Sequence, residues 1–171
     1  MIEDDDIDAL AMEQGDFETA GPLYELSLVT FRELNDQWGI AGSLDDLGNL
    51  AREQKDYPRA EALYRESRRI FQGLEHKRGV ARLLEAFASL AAAQSDGEGA
   101  LRLAGAAAAL RQSIGAPAAP AEQAKLERNL ARAREGLSTT TSRTAWLEGW
   151  VMRVDKAIEE LLGPAASLGS N

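Results

Sequence analysis

The chain has 171 residues, 28 acidic against 19 basic side chains, no cysteine and a net charge of −9. Its length supports one ordinary domain with its own core, and 44% apolar with 27% charged residues is the composition of a folded protein in water. The acid excess argues against a direct nucleic-acid binder, which needs a basic footprint, and the absence of cysteine excludes disulfides and thiolate catalysis.

The chain opens on Met1-Ile2-Glu3-Asp4-Asp5-Asp6, the opposite of a basic signal-peptide start. No apolar run reaches the ~18 residues of a membrane span, so the expected location is the cytoplasm, with no membrane contact. Asp4-x-Asp6-x-Asp8 begins like a calcium loop, but that pattern requires Gly at residue 9 and Glu at residue 15, where Ala9 and Gly15 stand. These acids read instead as favourable charges at a helix N-terminus. No metal ligand set and no cofactor are expected.

Laid over itself at an offset of 40, the chain repeats: residues 13–56 match residues 53–96 at 16 of 44 positions. The matches include Asp16/Asp56, Ala20/Ala60, Leu23/Leu63, Tyr24/Tyr64, Ser27/Ser67, Phe31/Phe71, Gly39/Gly79 and Leu44/Leu84. Within a unit, Leu44, Leu47, Leu50, Ala51 and Gln54 follow helical spacing, and so do Tyr57, Ala60, Leu63, Tyr64, Ser67, Ile70, Phe71 and Leu74. Asp16 and Asp56 stand where they can cap the second helix of a hairpin, and Pro58 lies in its first turn, where a missing N–H costs nothing. Pro22 conflicts with this register, because its absent N–H would bond to residue 18; a kink or late start near Gly21-Pro22 is expected.

Paired helices with a small Gly and Ala at their crossing resemble a tetratricopeptide repeat, on Leu47-Gly48, Ala51, Tyr57, Ala60, Tyr64 and Ser67. Gly48 and Ala60 are read as letting the helices approach, with Tyr64 filling the groove behind them. Against the usual ~34-residue unit, six extra residues are expected to lengthen the second helix and its junction by ~9 Å. The first unit keeps Ile7, Leu10, Ala11, Phe17, Ala20 and Tyr24, but Asp4 stands in place of Leu44, so its first turn is expected to fray. The third is degenerate: Ala88 replaces the Gly, Ala104 the Tyr, and Gly97 and Gly99 weaken a helix start.

Farther along, Gly115 ends an Ala-rich helix, and Pro120 with Glu122 starts another that carries Leu126, Leu130, Ala133 and Leu137. Ser138 to Thr144 reads as a loop and cap cluster. Thr141 to about Leu162 is a last amphipathic stretch with Trp146 and Trp150, read as core anchors, and Gly163 to Asn171 a flexible tail. The Gly105-Ala106-Ala107-x-Ala109-Leu110-Arg111 run, the Ile114-Gly115-Ala116-Pro117-x-x-Pro120-Ala121-Glu122 run and Ala145-Trp146-x-x-Gly149 resemble the C-terminal repeat region of bacterial STAND-class signal-transduction ATPases, many of them helix-turn-helix transcriptional regulators. That family breaks its helix after this Gly with a serine cap. Here Arg153-Val154-Asp155 follows, so the last two helices are expected to be continuous or capped by Asp155.

The expected architecture is all-α, a tetratricopeptide-like right-handed superhelix of three helical hairpins closed by C-terminal capping helices. Residues 1–115 hold the repeats (units about 1–39, 40–79 and 80–115), 116–162 the cap and 163–171 the tail. Ala-rich residues 86–109 are expected to mark close helix contacts. The resemblance implies a sensor or scaffold part that binds and has no catalysis of its own, because no Gly-Lys pair of a phosphate loop occurs. Its partner would be a protein, a peptide or a small-molecule inducer, and a free-standing peptide-binding adaptor is the alternative; an exposed first-repeat edge could also self-associate.

In this repeat class the first helices face inward and their non-packing positions meet ligands. Those positions are Asp45, Asn49 and Arg52 in unit two and Arg82, Glu85 and Ser89 in unit three. Asn49 suits peptide backbone or sugar hydroxyls, and the arginines a carboxylate. Arg59, Arg65, Arg68 and Arg69 read as a basic strip, either solvated beside Glu61 and Glu66 or facing an acidic partner domain. His76, the sole histidine, has no catalytic or metal partner at useful spacing and is read as structural or exposed; no catalytic set is found.

Overall fold

The structure, a computed structural model, describes residues 17–163. Among them it is all helical: α1 (Phe17–Glu33), α2 (Gln37–Glu53), α3 (Tyr57–Gly73), α4 (Lys77–Ala93), α5 (Gly97–Ile114), α6 (Pro120–Glu135), α7 (Thr139–Val151) and α8 (Val154–Leu162). The acidic Asp4-x-Asp6-x-Asp8 run, the Asp4 turn, Ile7, Leu10, Ala11 and the Asp16 cap lie outside the described residues, as do residues 164–171 of the expected tail. No described helix is long and apolar enough to cross a membrane.

A twenty-residue beat underlies the forty-residue repeat. Helices α1 to α4 are each 17 residues long and are joined by three-residue turns. The six extra residues therefore lengthen both helices of a hairpin equally, not the second alone. Each turn is built the same way. Asn35, Lys55, Glu75 and Ser95 take left-handed φ values of 51° to 65°, the conformation that commonly ends a helix. The next residue caps the following helix: Asp36 accepts from Gly39 N–H at 3.1 Å, Asp56 from Arg59 at 3.3 Å, and Asp96 from Gly99 at 2.9 Å. The backbone N–H groups of Asp36, Asp56 and Asp96 bond back to Phe31, Ala51 and Ala91, so one residue closes one helix and opens the next. His76 holds the fourth such position, its Nδ1 accepting from Gly79 N–H at 3.0 Å.

Pro22 does not delay α1, which runs from Phe17 through it to Glu33. Burial of Ala20, Tyr24 and Leu28 fixes the helix on both sides of the proline, and one lost backbone bond does not outweigh that face.

The described residues belong to two compact units, one ending at Leu74 and one beginning at Glu75. In the first, α2 packs against both α1 and α3. Its core joins Ala20, Tyr24 and Leu28 to Ile40, Leu44, Leu47 and Leu50, with Phe17, Phe31, Leu63 and Ile70 packed against them. A Cβ on Gly48 would overlap the Tyr64 ring, so the expected pairing of a missing side chain with a large one is present. Ser67 Oγ donates to Ala41 C=O at 2.7 Å and ties the same two helices.

In the second unit α5 is the hub, packed against α4, α6, α7 and α8. Gly105 and Gly149 let α5 and α7 touch backbone to backbone: a Cβ on either would strike a carbonyl of the other helix, that of Trp146 or of Arg102. Gly97 allows the same at Ala133 O, so this glycine, expected only to weaken a helix start, is required for close packing. Gly115, at φ 62°, ends α5, Pro120 starts α6, and Ser138 Oγ caps α7 by accepting from Thr141 N–H at 3.0 Å. The last two helices are neither continuous nor capped by Asp155. They break at Met152–Arg153, Arg153 occupies the cap position without a side-chain bond, and Asp155 lies in the first turn of α8, 3.5 Å from Arg153.

Candidate binding surface

The first unit brings Asn49 and Arg52 together. Leu44, Leu47, Gly48 and Ala51 form the buried face of α2, which leaves Asn49 and Arg52 half-buried beside it. Tyr64 crosses from α3 over Gly48, and its hydroxyl donates to Asn49 Oδ1 at 2.8 Å. Arg52 Nη1 donates to the same oxygen at 3.2 Å and to the Tyr64 hydroxyl at 3.4 Å, while Nη2 reaches Glu53 at 3.0 Å. With Oδ1 accepting twice, the side-chain amide N–H groups of Asn49 are the donors this constellation does not use. Burial raises the Tyr64 phenol well above its ordinary value; Arg52 opposes this, and Asp45, Glu53 and Asp46 add to it. Tyr64 is thus a neutral, fixed donor that orients Asn49. Asp45 lies outside this constellation: it is fully buried, not solvated.

In the second unit the expected positions are occupied by the protein itself. Glu85 takes a two-pronged bond from Arg111, with Nη2 to Oε2 at 2.8 Å and Nε to Oε1, and these side chains are only 13% and 10% exposed. The hydrogen bond to Glu85 raises the Arg111 proton affinity, against the cost of burial. Arg111 Nη1 also donates to Ala116 C=O at 3.1 Å and fixes the turn after α5. Ser89 is buried and accepts from Asn129 of α6 at 3.1 Å. Arg82, the third expected residue, is half-exposed on α4.

The arginine strip dissolves on inspection of its members. Arg68 is buried because it stands one turn after Tyr64 and three residues before Phe71, on the inward face; burial lowers its proton affinity, with Arg65 and Arg69 contributing. Arg65 pairs with Glu61 at 2.7 Å and Arg59 with Glu25 at 3.6 Å, and only Arg59 and Arg69 of the four are exposed. Trp146 and Trp150 stack with ring centroids 5.0 Å apart and planes at 22°. Both are half-buried, because Ala145 and Gly149 form the face of α7 that meets α5. Sequence reading missed the anchoring pair Arg111–Glu85. Its signal was present: Arg111 occupies the repeat position of Phe31 and Phe71.

The arrangement offers hydrogen-bond donors and a scaffold. Among the described residues no group of three or more His, Asp or Glu side chains gathers as a metal site. The class so defined is an all-α scaffold of pairwise-packed helical repeats. Residues 9–73 match the tetratricopeptide repeat family, and this stretch is a tetratricopeptide repeat region. No curated protein and no solved structure matches the chain.

Proposed function

We propose that this chain is a non-catalytic binding module whose first unit takes a protein or peptide partner through Asn49 and Arg52. Tetratricopeptide repeats generally mediate protein–protein interactions, and the observation that carries the reading is the Asn49–Arg52–Tyr64 constellation. Two bonds hold the Asn49 oxygen and so aim its amide donors, and an ordered donor loses little entropy on binding a peptide carbonyl. Arg82 is the matching candidate in the second unit. The finer reading, the sensor or scaffold part of a STAND-type regulator or signalling ATPase, is supported by the residue pattern of 103–122 and Ala145-Trp146-x-x-Gly149. A free-standing adaptor is the alternative, and the upstream reading frame separates them by encoding, or lacking, a nucleotide-binding domain.

The test is a thermal-shift screen of a peptide library, repeated on Asn49→Ala and Arg52→Ala. Loss of one such hydrogen bond should weaken a true hit by roughly 2- to 10-fold. A hit that both variants bind as well as the parent does would place the site elsewhere.

A further inference from the structure

We infer that the solvent-facing side of α6 is a second docking surface, which takes a short acidic segment of a partner protein through Lys125, Arg128 and Arg132. These residues stand at i, i+3 and i+7, so they share one side of the helix over ~10 Å. All three are exposed, and among the described residues none of them is ion-paired. The other basic side chains of α5 and α6 are held: Arg102 by Glu98 and Glu148, Arg111 by Glu85, and Arg134 by Glu127. The repeat shows how the positions came to be open. Asn49-Leu50-Ala51-Arg52 of α2 recurs two repeat lengths on as Asn129-Leu130-Ala131-Arg132 of α6. The positions of Lys125, Arg128 and Arg132 hold Asp45, Gly48 and Arg52 in α2 and Glu85, Ala88 and Ala92 in α4, all buried or half-buried. In α2 the following helix supplies the cover, as Tyr64 of α3 lies over Gly48. The helix that follows α6, α7, packs on α5 instead. Solubility alone asks only for polar residues on such a side, of either sign; here all three are cations.

The neighbouring acids leave this charge in place and set its length. On the helices packed against α6, Glu85 of α4 is paired with Arg111 and Glu98 of α5 with Arg102, while Asp96 caps α5. On α6 itself, Glu127 turns to Arg134 on the other side of the helix. Glu122 and Glu135 stand three residues before Lys125 and three after Arg132, one acid at each end of the stripe. A nucleic acid gains affinity by neutralising many phosphates along its length, and it would run past both glutamates. A short segment with Asp or Glu at the same i, i+3, i+7 spacing meets the three cations and ends before the acids. The helix is also fixed in rotation, because Leu130 and Ala133 are buried and Asn129 Nδ2 donates to Ser89 Oγ of α4 at 3.1 Å. This surface is separate from the proposed site on α2. There Asn49 keeps its amide donors for a peptide carbonyl; here Asn129 donates to Ser89, and recognition is by charge.

The test is fluorescence anisotropy of the full chain with a labelled helical peptide whose charged side chains are three Glu at i, i+3 and i+7, and with its Gln counterpart. The parent should bind the Glu peptide roughly 10-fold more tightly than the Gln peptide at low salt, and lose that margin at high salt. Arg128→Gln and Arg132→Gln should each weaken binding by up to about 5-fold. Lys125→Glu/Arg128→Glu/Arg132→Glu should reverse the preference, binding a Lys counterpart of the peptide in place of the Glu one. All three sites are exposed and circular dichroism checks the fold; the single neutral variants carry the test if the triple variant unfolds. Asn49→Ala/Arg52→Ala, which probes the α2 site, should leave this binding unchanged. Equal binding of the Glu and Gln peptides, or a Glu-peptide affinity that neither Arg128→Gln nor Arg132→Gln changes, overturns the inference. So does tighter binding of a single-stranded oligothymidylate through the same residues, which would make the surface a nucleic-acid site.

Discussion

Tyr64 occupies the space that Gly48 leaves, and the third unit places Ala88 and Ala104 at the same two positions. Gly48→Ala should therefore destabilise by about 1–3 kcal/mol through overpacking against the ring. In a Tyr64→Ala background the same change should be neutral or stabilising, since alanine is about 1 kcal/mol better than glycine in a helix. Urea melts of the four variants check that reversal of sign. Tyr64 also sets an alkaline limit. Because burial raises its phenol above the ordinary value, the native state keeps a proton that the unfolded chain releases near pH 10. The stability tied to that proton is complete below pH ~10 and falls by up to about 1.4 kcal/mol per pH unit above it, until the native group ionises as well. Melting temperature against pH should drop less steeply for Tyr64→Phe. His76 bears on a different property, the cap. Asp36, Asp56 and Asp96 hold the equivalent position, where an anion also favours the positive end of the helix, and Lys77 and Arg78 follow His76. His76→Asp should raise stability by about 0.5–1 kcal/mol and His76→Ala lower it by a similar amount, read from urea midpoints. An aspartate variant less stable than the parent would show that the imidazole serves more than the cap.

At the scale of elements, the residues with strong local chemistry were legible. Asp56 and Pro58 placed the start of α3, Gly115 the end of α5, and Pro120 the start of α6, all as the structure has them. Local signals failed where tertiary packing decides. Pro22 argues against a helix, but a buried face on both sides of it carries the helix through. Nothing between Trp150 and Val154 is a strong breaker, yet α7 stops at Val151 and α8 runs separately, with Ala157, Ile158 and Leu162 buried. The binding positions were harder. Asp45 and Ser89 are polar residues at spacings read as non-packing and ligand-facing, but both are buried, and for Ser89 the covering residue, Asn129, sits 40 residues away. The Arg111–Glu85 pair is the sharpest case and gives a test. Arg111→Met alone leaves a nearly buried carboxylate without its partner and should cost about 3–5 kcal/mol. Adding Glu85→Leu should recover most of that loss, because two apolar side chains of similar volume fill the space without desolvating charge. If the double variant is no more stable than the single one, the turn held through Ala116 C=O, not the ion pair, is the main contribution of Arg111.

The whole molecule divides its charge as it divides its structure. The net of −9 is the sum of a strongly acidic segment, residues 1–74, and one that is nearly neutral. Composition alone spread that acidity over the chain; the two compact units show that the argument against nucleic acid drawn from it applies to the first and not to the second. Each hydrogen bond and ion pair described above falls within one unit: Asn49 with Arg52 and Tyr64 in the first, Arg111 with Glu85 and Asn129 with Ser89 in the second. The second unit also has a core of its own in Leu83, Leu84, Leu101, Leu110 and Leu130, with α5 packed against four other helices. Residues 75–171 expressed alone should therefore fold, with a helical circular dichroism spectrum and a single cooperative melt, since ~97 residues suffice for an independent core. The fragment should pass through an anion exchanger at neutral pH that retains the full chain, because only the latter carries the acidic segment. A fragment with helical signal but a broad melt and strong dye binding would show instead that the core of residues 75–163 depends on the first unit for its order.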